Sequence, residues 1–178
     1  MLLSDFPQSY IKSVEAGAEF HKTYKIWAGK ATMNYKDLLK DLVNKYQIKT
    51  LLDFGCGKGL QYTKHKLDKF LNVQATAYDP CLNGLENWPK SQFDMVICLD
   101  CLPYIDTGDY AWLYNQLDTW ASKLVVLGVQ LNNIPKSTNK SSITSNIQKI
   151  TDLQDITKPI PQQSQSKFVI INNFKLVN

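Results

Sequence analysis

Arginine is absent from this chain of 178 residues; all twenty of its basic side chains are lysine. Without a guanidinium fork there is no bidentate capture of phosphate, carboxylate or guanine. The formal net charge of +4 is mild and the lysines are dispersed. Both features argue against an extended nucleic-acid-binding surface. Histidine is scarce, with only His21 and His65, far apart in sequence. The four cysteines, Cys56, Cys81, Cys98 and Cys101, contain a single C-x-x-C pair. A zinc site normally needs a second ligand pair, so no metal is expected. Cys98 reads as a buried strand residue and Cys101 as lying just past that strand. Free thiols suit a reducing cytoplasm. No apolar run approaches the roughly 18 residues of a membrane helix. The opening residues lack the basic and apolar regions of a secretory signal. A cytoplasmic protein with no membrane partner is the expectation.

Hydrophobic residues make up 44% of the chain and charged residues 20%, the balance of a globular domain with a sizeable core. No internal repeat or linker divides it. A single domain over 1–178 is expected, with an N-terminal helical segment over 1–46 and a core over 50–178. Its most informative stretch is Leu51-Leu52-Asp53-Phe54-Gly55-Cys56-Gly57-Lys58-Gly59. A short apolar run ends in an acid and breaks into three alternating glycines. The pattern predicts a buried parallel strand that stops at a tight turn and feeds a helix. Such a turn at the carboxyl end of the first strand is where open α/β sheets bind nucleotide-like ligands. The spacing is G-x-G-x-G, not the G-x-G-x-x-G of dinucleotide sites, because Leu60 stands where that third glycine would fall.

Elsewhere the periodicity predicts a helix over about Ser9 to Tyr24. A second helix runs over Tyr35 to Tyr46, capped by Asn34 with Asp37 three residues on, and buries Leu38, Leu39, Leu42 and Val43. Leu60 to Phe70 reads as one helix, with Leu60, Leu67 and Phe70 available for burial. Strands are expected over Thr50–Asp53, Val73–Tyr78, Phe93–Leu99 and Leu124–Val129. A helix over Gly108 to Ala121 carries Trp112, Leu113, Leu117 and Trp120. Residues 132–148 are polar and read as a surface loop or lid. Phe168–Ile171 and Phe174–Val177 flank Asn172-Asn173, either as a two-residue hairpin or as one bent strand. The order β-α-β-β-α-β points to the fold class: α/β, a Rossmann-like doubly wound sheet, mostly parallel; the hairpin reading of the last segment would add an antiparallel C-terminal strand.

Asp79 ends the second strand, twenty positions after Gly59. An acid there can accept hydrogen bonds from both ribose hydroxyls; an exposed loop acid is the plain alternative. The D-x-G-x-G-x-G form at Asp53 to Gly59 resembles motif I of the class I S-adenosylmethionine (SAM) dependent methyltransferases. Phe93-Asp94-Met95-Val96-Ile97 with Leu102 and Ile105 resembles a second conserved stretch of that family, F-D-x-V-x-x-x-x-x-L-x-H-I. Here Pro103 and Tyr104 stand where relatives have another residue and a histidine.

The resemblance spans roughly Thr50 to Val129 and implies SAM as cofactor and a methyl transfer. It implies cofactor contacts from Asp53, Phe54, Gly55, Cys56, Gly57, Gly59, Asp79, Pro80 and Asp100, with Asp53 near the methionine end. Cys56 and Lys58 would offer amide groups from the same turn. Asp100 and Tyr104 become the candidates for the catalytic site, as groups that position the acceptor, since a tyrosine hydroxyl is a poor base at neutral pH. For Asp100 the alternative is a capping or loop role, and for Tyr104 packing. Trp27 and Lys30, in the aromatic N-terminal segment, are further candidates for covering the ligand, against a helix simply packed on the sheet. The tract Pro80 to Gln92 is too short for another strand and helix. The acid-or-Asn-Pro-Pro-Tyr motif of DNA amine methylation is absent, which, with the missing arginine and dispersed lysine, favours a small-molecule or peptide acceptor over nucleic acid. The rivals are a non-catalytic SAM-binding or scaffold protein and a nucleotide-dependent α/β oxidoreductase.

Overall fold

In the computed structural model, residues 6–23, 28–129 and 167–172 are described. Five strands are described, the central ones near-continuous apolar segments because both of their faces are covered. They are β1 (Thr50–Phe54), β2 (Gln74–Tyr78), β3 (Phe93–Leu99), β4 (Ala121–Val129) and β5 (Lys167–Asn172). Their spatial order is β2-β1-β3-β4-β5. Every neighbouring pair is parallel. This is a Rossmann-like α/β sheet whose order reverses between β1 and β3.

The two-residue period of the strands sorts their side chains into two cores. Leu52, Phe54, Val96, Cys98, Val125 and Leu127 face one side. There they meet Tyr10 of α1 (Gln8–Thr23) and Leu113, Leu117 and Trp120 of α5 (Tyr110–Trp120). Leu51, Met95, Ile97, Leu99, Leu124 and Val126 face the other. They meet Leu39, Leu42 and Val43 of α2 (Lys36–Tyr46) and Leu67 and Leu71 of α4 (Leu67–Leu71). The short tract after β2 adds no strand. Instead its Trp88 packs edge-on against Phe6 and Trp120, with ring centroids 4.6 Å apart in each pair. That aromatic cluster covers this face of the sheet.

Several expectations are corrected. The C-terminal strand the structure describes is parallel to β4, not antiparallel. The intervening residues 130–166 exceed the dozen or so a parallel crossover requires. Asn172 closes β5, and the expected partner strand, like the polar tract 132–148, lies outside the described residues. The helix expected over Leu60 to Phe70 is two short ones, α3 (Leu60–Thr63) and α4. Three long polar residues separate them, and Lys66 takes a left-handed φ of 53°. Phe70 is consequently 43% exposed under Lys36 and Lys40, while Leu71 takes the buried position. Leu38 is also exposed. Asn34 does not cap α2; a 3-10 turn over Ala31–Tyr35 leads directly into it. In α5 the buried stripe begins at Tyr110, and Trp112 is half-buried against Phe6 and Tyr10. β4 starts at Ala121, immediately after α5.

Asp94 clamps the far end of the sheet. Its Oδ2 accepts from the Lys49 and Thr50 amides at 2.6 and 3.2 Å, and Lys123 Nζ lies 3.0 Å from Oδ1. Burial pushes the carboxyl up, but these donors outweigh it and hold it below its ordinary value.

Leu113 is fully buried between α5 and the sheet. Replacing it with alanine should cost about 2–5 kcal/mol, as lost transfer energy plus cavity. Urea unfolding should show a lower midpoint at unchanged slope.

Candidate functional site

The glycine turn leaves β1 with Gly55, Gly57 and Gly59 all at positive φ, 75°, 57° and 65°. At Gly55 two demands coincide: the left-handed backbone, and a Cβ that would collide with Cys101 Sγ. The β1–β2 ladder continues into this turn, since the Gly55 and Cys56 amides both donate to the Tyr78 carbonyl, at 2.8 and 3.1 Å. Asp79 completes the tie. Its Oδ2 accepts the Gly57 N–H at 2.8 Å and its Oδ1 accepts the Cys81 N–H at 3.0 Å.

Beside this turn, at the carboxyl ends of β1 and β3, a cleft of about 150 Å³ opens. It lies at the switch point, where open α/β sheets bind ligands. Phe54, Gly55, Gly57, Asp79, Pro80, Asp100 and Tyr104 all line it. The sequence-predicted residues are thus largely brought together. Four are not among the lining residues: Asp53, Cys56, Gly59 and Lys30. Trp27 lies outside the described residues. Cys56 is buried and its amide is used by Tyr78, so that amide is not offered to a ligand. Gly59 has only open space around the position of a Cβ and serves the turn by its φ.

Asp53 shares the sheet face of Leu51, two residues before it, and so points behind the turn rather than into the cleft. There Gln61 Nε2 and the Tyr62 hydroxyl donate to its Oδ2 at 2.9 and 2.8 Å. Gln61 Nε2 also donates to the Cys56 carbonyl at 3.0 Å. The acid, its amide partner and the turn backbone form one buried unit. Burial pushes the Asp53 carboxyl up to about 6, the two donors hold it down in part, and the Asp79 charge adds to the rise. Gln61 Oε1 is buried with no hydrogen-bond partner among the described residues.

Asp100 follows β3 with a left-handed φ of 60°, a conformation that Asp tolerates better than most residues and that concentrates at functional sites. Its amide donates to the Gly128 carbonyl at 2.7 Å, and the Tyr35 hydroxyl donates to its Oδ1 over a long 3.4 Å. The capping role is taken by Asp106, whose side chain accepts from the Gly108 amide. Tyr104 is 38% exposed at the cleft edge.

Sequence reasoning missed the wall made by α1. Tyr10, Ser13, Val14, Gly17 and His21 line the cleft at the three- and four-residue spacings of one helix face. The available signal was Gly17, since a glycine inside a helix costs stability unless packing demands it. A Cβ there would lie 2.6 Å from Cys81 Sγ. Burial lowers the His21 pKa, Asp79 opposes that shift and Lys58 adds to it. Among the described residues the charges lining the cleft are Asp79 and Asp100, and no lysine is with them. All four cysteines are free. Among the described residues no three His, Cys, Asp or Glu side chains group to hold a metal.

The folded Asp53 carboxyl titrates near 6 against an ordinary 3.8. Between those values the folded state binds more protons than the unfolded one, so this acid lowers stability as pH rises through that window. Asp53→Asn should therefore gain stability over the parent above pH 6, by up to roughly 3 kcal/mol at about 1.36 kcal/mol per unit. The gain should vanish near pH 4. Urea unfolding of both proteins at pH 4, 5 and 8 measures it, and a pH-independent difference contradicts the assignment.

No protein-family model, no curated protein and no solved structure matches this chain.

Proposed function

We propose that this protein is a SAM-dependent methyltransferase acting on a small-molecule acceptor. The observation that carries the reading is the charge of the switch-point cleft: Asp79 and Asp100 line it, and among the described residues no lysine does. A dinucleotide would place its pyrophosphate there and needs cations or a long helix N-terminus to hold it. The helix after the glycine turn has only four residues. An adenosyl sulfonium ligand carries no phosphate and suits acids. The oxidoreductase alternative is correspondingly weakened.

The residues present fit such a ligand. Asp79 uses two of its roughly four acceptor positions on backbone amides, leaving others for ribose hydroxyls. Gly55 and Gly57 leave bare main chain along the cleft floor. SAM, when bound, supplies a methyl group activated on a sulfonium. The chain's part is placement: holding a nucleophile in line and excluding water brings most of the acceleration when the leaving group is good. Asp100 and Tyr104, on the β3 side of the cleft, are the groups to orient an acceptor. Asp53 acts through Gln61, Tyr62 and the turn backbone and is a positioning residue.

A second reading, a SAM-binding protein without turnover, is favoured by Pro103 and Tyr104 standing where the resemblance has another residue and a histidine.

Calorimetric titration of the purified chain with SAM, S-adenosylhomocysteine and NADH tests the proposal. Micromolar binding of the adenosyl ligands and none of NADH is expected. Asp79→Ala should weaken SAM by about 1–3 kcal/mol through loss of a buried, charged hydrogen-bond acceptor. Tight NADH binding, or unchanged SAM affinity in the folded variant, overturns it. Methyl transfer from labelled SAM to any metabolite pool excludes the second reading.

A further inference from the structure

We propose that α1 is a hinged lid on the cleft: its first half is fixed to the sheet by aromatic packing, and its second half opens and closes over Asp79, with Gly17 seated on Cys81 in the closed form. This goes beyond the methyltransferase reading and rests on it only for the ligand used as one of the probes.

The helix is held unevenly along its length. Just before it, Phe6 packs edge-on against Trp88, with ring centroids 4.6 Å apart. Tyr10 stacks on Phe6 at 5.9 Å and meets Trp112 at 4.7 Å. Ser9 Oγ donates to Asp109 Oδ1 at 2.7 Å, which joins the same end to the turn that precedes α5. Tyr10 is buried, and Val14 packs against the same core. Residues 15–23 are half-buried or exposed throughout. The first half therefore has most of the tertiary packing that stabilises a helix. A segment with little buried apolar surface is the kind that opens without unfolding the rest.

What the second half covers is specific. Gly17 and His21 line the cleft, as do Asp79 and Cys81. The Cys81 amide donates to Asp79 Oδ1 at 3.0 Å, so the residue beneath Gly17 is tied to the acid proposed to hold the ribose. A Cβ on Gly17 would lie 2.6 Å from Cys81 Sγ, and any larger residue would displace the helix or the thiol. Glycine inside a helix also costs stability relative to alanine. The same residue thus permits the closed position and weakens the helix between its anchored half and its opening half. A helix anchored at one end and lightly seated at the other is the form a hinged lid takes.

Native-state hydrogen exchange on the unmodified chain reads the opening directly. The amides of residues 15–23 should exchange together, with only a weak dependence on urea, because the opening exposes little surface. Those of Leu113 and Leu117 in α5 should exchange only through global unfolding. Exchange confined to the last turn of α1 is fraying and overturns the proposal. So does exchange of the whole helix only with global unfolding.

Gly17→Cys tests the closed contact. Its new thiol faces Cys81, and exchange with oxidised glutathione joins the two sulfurs and releases two molecules of reduced glutathione, which carry off the two thiol protons. The cross-link, detected by mass, should form in the folded variant and slow exchange of residues 15–23 at least about tenfold relative to the reduced variant. S-adenosylhomocysteine should then associate at least about tenfold more slowly in stopped flow, and recover when dithiothreitol restores the thiols. A folded variant that does not cross-link overturns the proposal, as does a cross-linked one that binds S-adenosylhomocysteine at the rate of the reduced variant. If parent and reduced variant bind no adenosyl ligand, the methyltransferase reading fails, and the exchange measurements alone decide whether α1 opens. If Gly17→Cys folds poorly by circular dichroism, exchange on the unmodified chain decides it.

Discussion

The carboxylate of Asp79 accepting the Gly57 amide at 2.8 Å is the contact on which the rest of the site depends. It joins the end of β2 to the turn after β1, just past the two amides that already bond the Tyr78 carbonyl. A left-handed glycine turn left to itself is a flexible object. Here three backbone amides are bound by one neighbouring strand end, and the turn becomes a fixed floor for the cleft. The same acid marks one wall, so floor and wall share one anchor.

Charge is divided in space although the chain is basic. The net charge is +4, yet among the described residues no lysine lines the cleft, whose charges are acids. Long-range attraction between the whole chain and an anion is weak under screening, while the local field in the cleft favours cations. Net charge would have suggested acidic ligands; local placement suggests the opposite, because a partly buried site feels its immediate neighbours far more than the distant surface.

Asp53 shows what such a site costs the fold. A carboxylate raised to about 6 by burial is held only partly in check by Gln61 and Tyr62. It works against folding at neutral pH, in keeping with the tendency of strained or costly groups to gather at functional positions. Its effect reaches the cleft through the turn backbone, since Gln61 bridges the acid and the Cys56 carbonyl.

The strands, the glycine turn and the acid after β2 were readable from sequence, because apolar runs, φ > 0 requirements and strand-end acids are local signatures. Of the residues lining the cleft, Gly55, Gly57 and Asp79 could be gathered in advance for that reason, whereas Phe54, Pro80, Asp100 and Tyr104 were expected only from the resemblance. What could not be read depended on partners distant in the chain. The direction of β5 hangs on the path between two strands, not on the strand's own residues. The break between α3 and α4 reflects which of Phe70 and Leu71 finds room beneath α2. The α1 wall needed the contact between Gly17 and Cys81, sixty-four positions apart. By itself, then, the sequence determined a doubly wound α/β chain with a ligand-type turn, since those follow from periodicity and backbone sterics. Only the tertiary structure decided that Asp53 stands behind the turn while Asp100 and α1 face the cleft, since burial and electrostatic field belong to the packed arrangement and not to any one segment.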